Sequence, residues 1–253
     1  MKKCAIVDVK GGLGNQLFTI SFAHYLKNND YKVFVDTSFY NSSHKYPRKL
    51  YIDVEKFGFK KINFKSDTVF KLIKTRYEEV ENLTNLDTKI FNRFKGYYQD
   101  TEFLDKQYLT DKLSLQNKKN GESVMVHIRR GDYIGLNEEL KLEYYTEAIN
   151  RLEKKLGSCD ITIFSDDHSL KIEDFKNFNV TELFNGKNDD VLETFKKMTQ
   201  FKNFIISNST FSFLAAFLGQ EESSTIFYPY PWMRNSDIQV KNFPKNWNII
   251  NNY

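Results

Sequence analysis

The chain is short of cysteine: two occur in 253 residues, Cys4 and Cys159, each in or beside an apolar run that reads as a buried strand. That excludes a disulfide framework and a cysteine-rich zinc site, and it fits a reducing compartment. Charge of one sign is scarce too. The 37 basic and 33 acidic residues are spread along the chain and leave a net +4. Such a balance provides no dedicated nucleic-acid surface, although a slight basic excess suits an anionic small ligand. No stretch approaches the ~20 apolar residues of a membrane span. The apolar run in MKKCAIVDVKGG is too short for a secretory signal and is interrupted by Asp8 and Lys10. The expectation is a soluble cytoplasmic protein with at most peripheral contact with the inner face of a membrane. Internal repeats and low-complexity tracts are lacking, and no G-x-S-x-G elbow supports a nucleophilic triad.

What is present is a hydrophobic fraction of 40% and an aromatic fraction of 16%, enough for one large core or two moderate ones. Residues 4–9 (CAIVDV) form a short β-branched run ended by Gly11 and Gly12, followed by helix-compatible spacing over residues 15–28 and a second strand at 31–36. This is one βαβ unit. Residues 37–120 read as the irregular remainder of an amino-terminal domain, with a polar turn at 41–49 and FNRFKGYYQD near position 95. The polar segment 115–123 is the best linker, which divides the chain into domains 1–118 and 119–253. Beyond it, strands at 123–128, 160–167, 204–208 and 224–229 alternate with helices at 138–156, 191–201 and 210–219. In the first of these helices Leu142, Tyr145, Ile149, Leu152 and Leu156 share a face. The expected fold is therefore α/β: two Rossmann-like domains of parallel sheet covered by helices, with ligand in a cleft between them at the strand carboxyl ends.

Three strand ends carry polar residues toward that expected cleft. In HIRRGDY, His127, Arg129, Arg130 and Asp132 follow a buried strand, and a guanidinium offers a planar fork of donors suited to phosphate. A salt bridge at a turn is the other reading of the same residues. In ISNSTFS, Asn208, Ser209, Thr210 and Ser212 open an apolar helix, as either a cap or a phosphate site. In FSDD, Asp166 and Asp167 are adjacent, so in a strand end they point apart and suit ribose, base or helix capping better than a divalent metal. At the amino terminus, Gly12 and Gly14 with Asp36 suggest a dinucleotide fingerprint, but Leu17 stands where its third glycine belongs, and no G-K-[ST] follows for a phosphate loop. The turn then presents Asn15 and Gln16 to substrate.

Together GGLGNQLF, GYYQD, HIRRGDY, FSDD and NFIISNSTFSFLAAFLG resemble, in order, the motifs of the α-1,2-fucosyltransferases of glycosyltransferase family 11. The resemblance spans residues 11–219. It implies a GT-B-like fold and an inverting transfer of L-fucose from GDP-β-L-fucose to a galactose-type hydroxyl of an oligosaccharide or glycolipid, as in bacterial O-antigen assembly. It further implies no cofactor and no metal, an acceptor-side domain at 1–118 and a GDP-fucose domain at 119–253. Arg129 would neutralise the leaving GDP, with Asp132 and Asn15 in catalytic roles. Substrate would be bound by Gly12, Gly14, Gln16, His127, Arg130, Asp166, Asp167, Glu193, Asn208, Ser209, Thr210 and Ser212. Glu193 is named because the acidic position expected to read guanine falls at neighbouring Thr194. Alternatives are an α-1,6 or O-fucosyl linkage, a dinucleotide-dependent oxidoreductase that leaves the arginines unused, and a non-catalytic sugar-nucleotide-binding module.

Overall fold

The computed structural model describes residues 3–43, 48–63, 78–80, 90–116, 123–186, 190–234 and 239–251, with 78–80 as backbone only. Parts of the expected polar turn (44–47) and linker (117–122) lie outside the described residues. The chain divides into two compact units, Met1–Leu113 and Ser114–Tyr253. Among the described residues no helix is long and apolar enough to cross a membrane.

In the first unit, strand β1 (Cys4–Asp8) leads through Gly11 and Gly12 into helix α1 (Leu13–Asn28), and strand β2 (Lys32–Asp36) returns parallel to β1. Gly11 has φ of +82°, and a Cβ there would meet the Asn15 amide at 2.8 Å, so this turn requires glycine. Strands β3 (Lys60–Ile62), β4 (Glu78–Val80) and β5 (Phe91–Phe94) complete an all-parallel sheet in the order β3-β2-β1-β5-β4. The region expected to be irregular therefore supplies three of five strands. Its strand signal is weak because β5 places Arg93 in the sequence FNRF, and that arginine has a structural task. Its Nε and Nη2 hold both oxygens of Asp8 at 2.9 Å, and Nη2 also reaches Asp36 at 3.0 Å. Asp36 further accepts from the Ser38 backbone N–H and hydroxyl. Asp36 is thus occupied as a tie between strand ends, which removes the last support for the dinucleotide fingerprint. Helix α2 (Lys106–Leu113) ends the unit.

The second unit holds strands β6 (Val124–Ile128), β7 (Ile161–Ser165), β8 (Val180–Phe184), β9 (Asn203–Ile205), β10 (Ile226–Tyr230) and β11 (Asn248–Asn251). All are parallel, in the order β11-β10-β9-β6-β7-β8. This is the doubly wound order, whose switch point lies between β6 and β9. The one-turn helix α3 (Gly131–Ile134) follows β6, and α4 (Leu142–Leu156), α5 (Val191–Met198) and α6 (Thr210–Gly219) are the longer helices. Alternation on β6 sends Val124, Val126 and Ile128 into the core shared with Tyr145, Ile149 and Leu152 of α4, and sends His127 to the opposite face against Phe211 of α6. The α4 face consists of Tyr144, Tyr145, Ala148, Ile149 and Leu152. Leu142 and Leu156, expected in it, are the terminal residues of the helix and are exposed.

Replacing Arg93 by leucine leaves the carboxylates of Asp8 and Asp36 without their cation, Asp36 almost fully buried. The expected loss is about 3–5 kcal/mol of stability, read by urea denaturation; a loss below ~1 kcal/mol would mean that the triad does not brace the sheet.

Candidate active site

The carboxyl ends of β6 and β7 lie side by side, with Ile128 opposite Ser165 in the register. The Ser165 hydroxyl donates to the Ile128 carbonyl at 2.9 Å and accepts the Asp167 N–H at 3.0 Å, so the FSDD turn is fastened to the HIRRGDY turn. Asp166 then reaches across. Its Oδ1 accepts the backbone N–H groups of Arg130 and Gly131 at 2.8 and 3.1 Å, and its Oδ2 pairs with Arg129 Nη1 at 2.6 Å. A Cβ on Gly131 would come within 3.0 Å of the Asp166 carboxyl carbon, so only glycine lets the turn close on it. Asp132 pairs with Arg129 Nη2 from the other side, and the guanidinium lies 5.3 Å from the Tyr133 ring centre. Arg130 pairs with Asp167 at 3.0 Å. The hydroxyl of Ser169, with Arg130 and other donors, holds the Asp167 carboxyl below its ordinary range.

These contacts give the two aspartates, expected as substrate ligands, a structural task within the turn. Asp166 and Asp167 do point apart, and each is spent on one arginine of the neighbouring turn. What they produce is an oriented pair of guanidiniums. Arg129 is about a quarter exposed. With two of its five N–H donors engaged by carboxylates, it presents a fixed charged fork at the β6 end, and anionic oxygens are what such a fork binds.

Across the switch point, His127 Nδ1 meets the Ser207 hydroxyl at 2.8 Å. Burial pushes His127 down to about 3, with Arg129 acting in the same direction and Asp166 opposing. The histidine is therefore neutral and packed, and Ser207 is a partner that sequence reasoning missed. The Tyr144 hydroxyl donates to the Ile206 carbonyl at 2.6 Å and the Tyr133 hydroxyl to the Asn208 carbonyl at 3.1 Å, fixing the chain as it leaves β9. Burial pushes the Tyr133 hydroxyl up to about 12, which keeps it a donor. Asn208 donates its Nδ2 to the Glu138 carbonyl at 2.8 Å, while its buried Oδ1 has no hydrogen-bond partner among the described residues. Ser209 caps α6 through the Phe211 N–H at 3.3 Å, and Thr210 is the first residue of that helix.

Three expected ligands stand elsewhere. Ser212 is fully buried, with its hydroxyl 3.2 Å from the Ser209 carbonyl, inside the first turn of α6. Glu193 lies on α5, mostly exposed and paired with Lys196 at 2.8 Å. Gln16 is fully buried in α1. Its Nε2 donates to the Gly11 and Lys49 carbonyls and its Oε1 accepts the Tyr51 N–H, so it braces the segment at 49–51 rather than facing substrate. Gly12 is the extended N-cap of α1 and Gly14 is buried in its first turn. Asn15 is half-buried and accepts from Gln99 Nε2 at 3.0 Å, a contact 84 residues apart in sequence that no local pattern announces.

The depressed His127 pKa sets a pH dependence. Between about 3 and the ordinary histidine value of ~6.5, the unfolded chain binds a proton that the folded one does not, so stability falls as pH drops through that window. His127→Gln removes this proton and flattens the slope by about 1.4 kcal/mol per pH unit between pH 4 and 6. Urea titrations at several pH values check it; an unchanged slope would show that the histidine is not buried as a neutral ring.

Comparison with known proteins adds three likenesses. An Alpha-1,2-colitosyltransferase of Escherichia coli is 30% identical over 145 residues, which span 53% of this chain and 48% of that relative, so the alignment covers about half of its length. The O-antigen biosynthesis glycosyltransferase WbnK of Escherichia coli is 26% identical over 288 aligned positions, covering 90% of this chain and 95% of WbnK. The crystal structure of POFUT1 in complex with GDP matches the fold with a TM-score of 0.51 at 12% identity, over 90% of this chain and 98% of that one. That likeness agrees with the GT-B-like α/β fold expected from the sequence. Residues 95–251, which contain the arginine turn, both aspartates and the Asn208 helix, match the pattern described as Glycosyl transferase family 11, and the chain belongs to that family.

Proposed function

We propose that the protein is an inverting α-1,2-fucosyltransferase that moves L-fucose from GDP-β-L-fucose to a galactose-type hydroxyl of an oligosaccharide or glycolipid, without a metal. In this reading the carboxy-terminal unit holds the donor and the amino-terminal unit the acceptor. The setting is O-antigen assembly in the bacterial cytoplasm, with peripheral contact at the inner face of the membrane. The observation that carries the reading is the guanidinium of Arg129, fixed by Asp132 and Asp166 at the switch point of a doubly wound sheet. Nucleotide ligands of such sheets bind outside the strand carboxyl ends at that point.

The chemistry follows from that placement. The acceptor hydroxyl attacks the anomeric carbon opposite the departing diphosphate. The carbon–oxygen bond to the β-phosphate breaks, its electron pair goes to the diphosphate, and the hydroxyl proton is lost to a base. Charge grows on the phosphate oxygens as the bond lengthens, and a preoriented guanidinium stabilises that charge without having to reorganise. Asp132 and Asp166 orient the guanidinium. The diphosphate contacts fall to Arg129, Arg130 and the first turn of α6 at Ser209 and Thr210, and Asn15 contacts the acceptor. Since Asp166 and Asp167 are each paired with an arginine, no carboxylate pair converges on a divalent ion there, which supports the metal-independent form.

A second donor is favoured by one observation, the 30% identity to an Alpha-1,2-colitosyltransferase. Colitose is fucose without its 3-hydroxyl, so the two sugars share the same anomeric chemistry. Purified protein is given GDP-fucose or GDP-colitose with galactose-terminated acceptors, with and without EDTA, and the linkage is read by NMR. Transfer of fucose in α-1,2 linkage, insensitive to EDTA, is the expected result. Transfer from GDP-colitose alone overturns the donor, and loss with EDTA overturns the metal-free mechanism. Arg129→Ala is expected to lower kcat by about 10²–10³-fold in a protein that still folds cooperatively, with GDP affinity lowered as well; near-normal turnover would mean that the phosphates lie elsewhere.

A further inference from the structure

The segment GYYQ at residues 96–99 has no part in the chemistry above, yet three features of it are costly. Tyr98 holds φ of +49°, the left-handed region that a bulky side chain rarely adopts. Gly96 stands where a Cβ would come within 3.0 Å of the Tyr98 ring. Gln99 is buried, and its Oε1 has no hydrogen-bond partner among the described residues. A buried acceptor left unbonded destabilises a fold, and an apolar side chain of the same shape would not.

The strained turn is held by stacking: the Tyr98 ring lies 3.9 Å from the Phe22 ring of α1 at 15°, and edge-on to Phe94 of β5. It delivers one polar contact. Gln99 Nε2 donates to Asn15 Oδ1 at 3.0 Å, on the first turn of the same helix. The Asn15 amide nitrogen lies beside Gly11, 2.8 Å from where a Cβ there would stand. The asparagine amide is thereby held by its oxygen at Gln99, with its nitrogen turned toward the glycine turn.

We infer that Gln99 is a positioning residue: it fixes the orientation of the Asn15 amide, so that Asn15 presents one face of its side chain to the acceptor. The inference rests on the reading of Asn15 as an acceptor contact. Gln99 itself need touch no substrate. Methionine, of similar shape, lacks the N–H that Gln99 donates to Asn15.

Gln99→Met separates this from a packing role. The variant is expected to keep or raise the melting temperature, since it removes the unbonded oxygen. It is expected to keep wild-type GDP affinity by calorimetry, and to lose about 10- to 100-fold in kcat/KM for the acceptor. Gln99→Glu, which cannot donate to Asn15 Oδ1, loses as much. The Asn15 side-chain amide signals in a ¹⁵N-labelled spectrum, identified by their loss in Asn15→Ala, shift in both variants. Activity and stability falling together, wild-type kcat/KM in Gln99→Met, or unmoved Asn15 signals each overturn the inference. If the wild-type protein transfers no sugar from any donor, it is the proposed function that fails, and the Asn15 signals alone then decide the role of Gln99.

Discussion

The carboxylate of Asp166 is the constraint on which the candidate site depends. One side chain satisfies two backbone N–H groups and one guanidinium of the adjacent turn, and it can do so only because position 131 lacks a side chain. Where that carboxylate arrives is set by the β6–β7 register, which places Ile128 against Ser165. A slip of one residue would turn it to the other face of the sheet and leave both N–H groups and Arg129 without it. Sheet pairing, turn shape and the aim of the arginine are therefore one structural fact.

The amino-terminal unit meets the same problem with the charges exchanged. There the carboxylates sit at the ends of β1 and β2, and the arginine comes from β5, where Arg93 joins Asp8 and Asp36. Burial raises the Asp8 pKa and the arginine opposes that rise, so the carboxylate depends on its partner. In both units, residues that would suit a ligand by type alone are the ones fastening strand ends together. Polar side chains at the carboxyl end of a parallel sheet have structural work available to them before any substrate arrives.

That is also why the sequence is readable in one place and opaque in another. Runs such as CAIVD and VMVHI, and the helices ending at Asn28 and Gly219, have one dominant period and a clear stop, and the structure has them within a residue or two. Strands β3, β4 and β5 are three or four residues long, and β8 is half-exposed, so no apolar alternation marks them. Arg129 could be picked out because an arginine pair closing a buried strand is unusual on charge grounds alone. That Asp166 and Asp167 would turn back onto that pair, or that Gln16 would bond a backbone segment more than thirty residues away, depends on contacts that only the fold brings together.

The arginine turn has a further consequence in its charge balance. Arg129 and Arg130 face Asp132, Asp166 and Asp167, so the cluster carries one more negative charge than positive. A small anion such as orthophosphate meets nearly as much repulsion as attraction there and gains little by approaching. Only a ligand that makes many bonds at once overcomes such a balance. The acidic residues that aim the arginines also temper their pull, so charge alone does not make this turn an anion site.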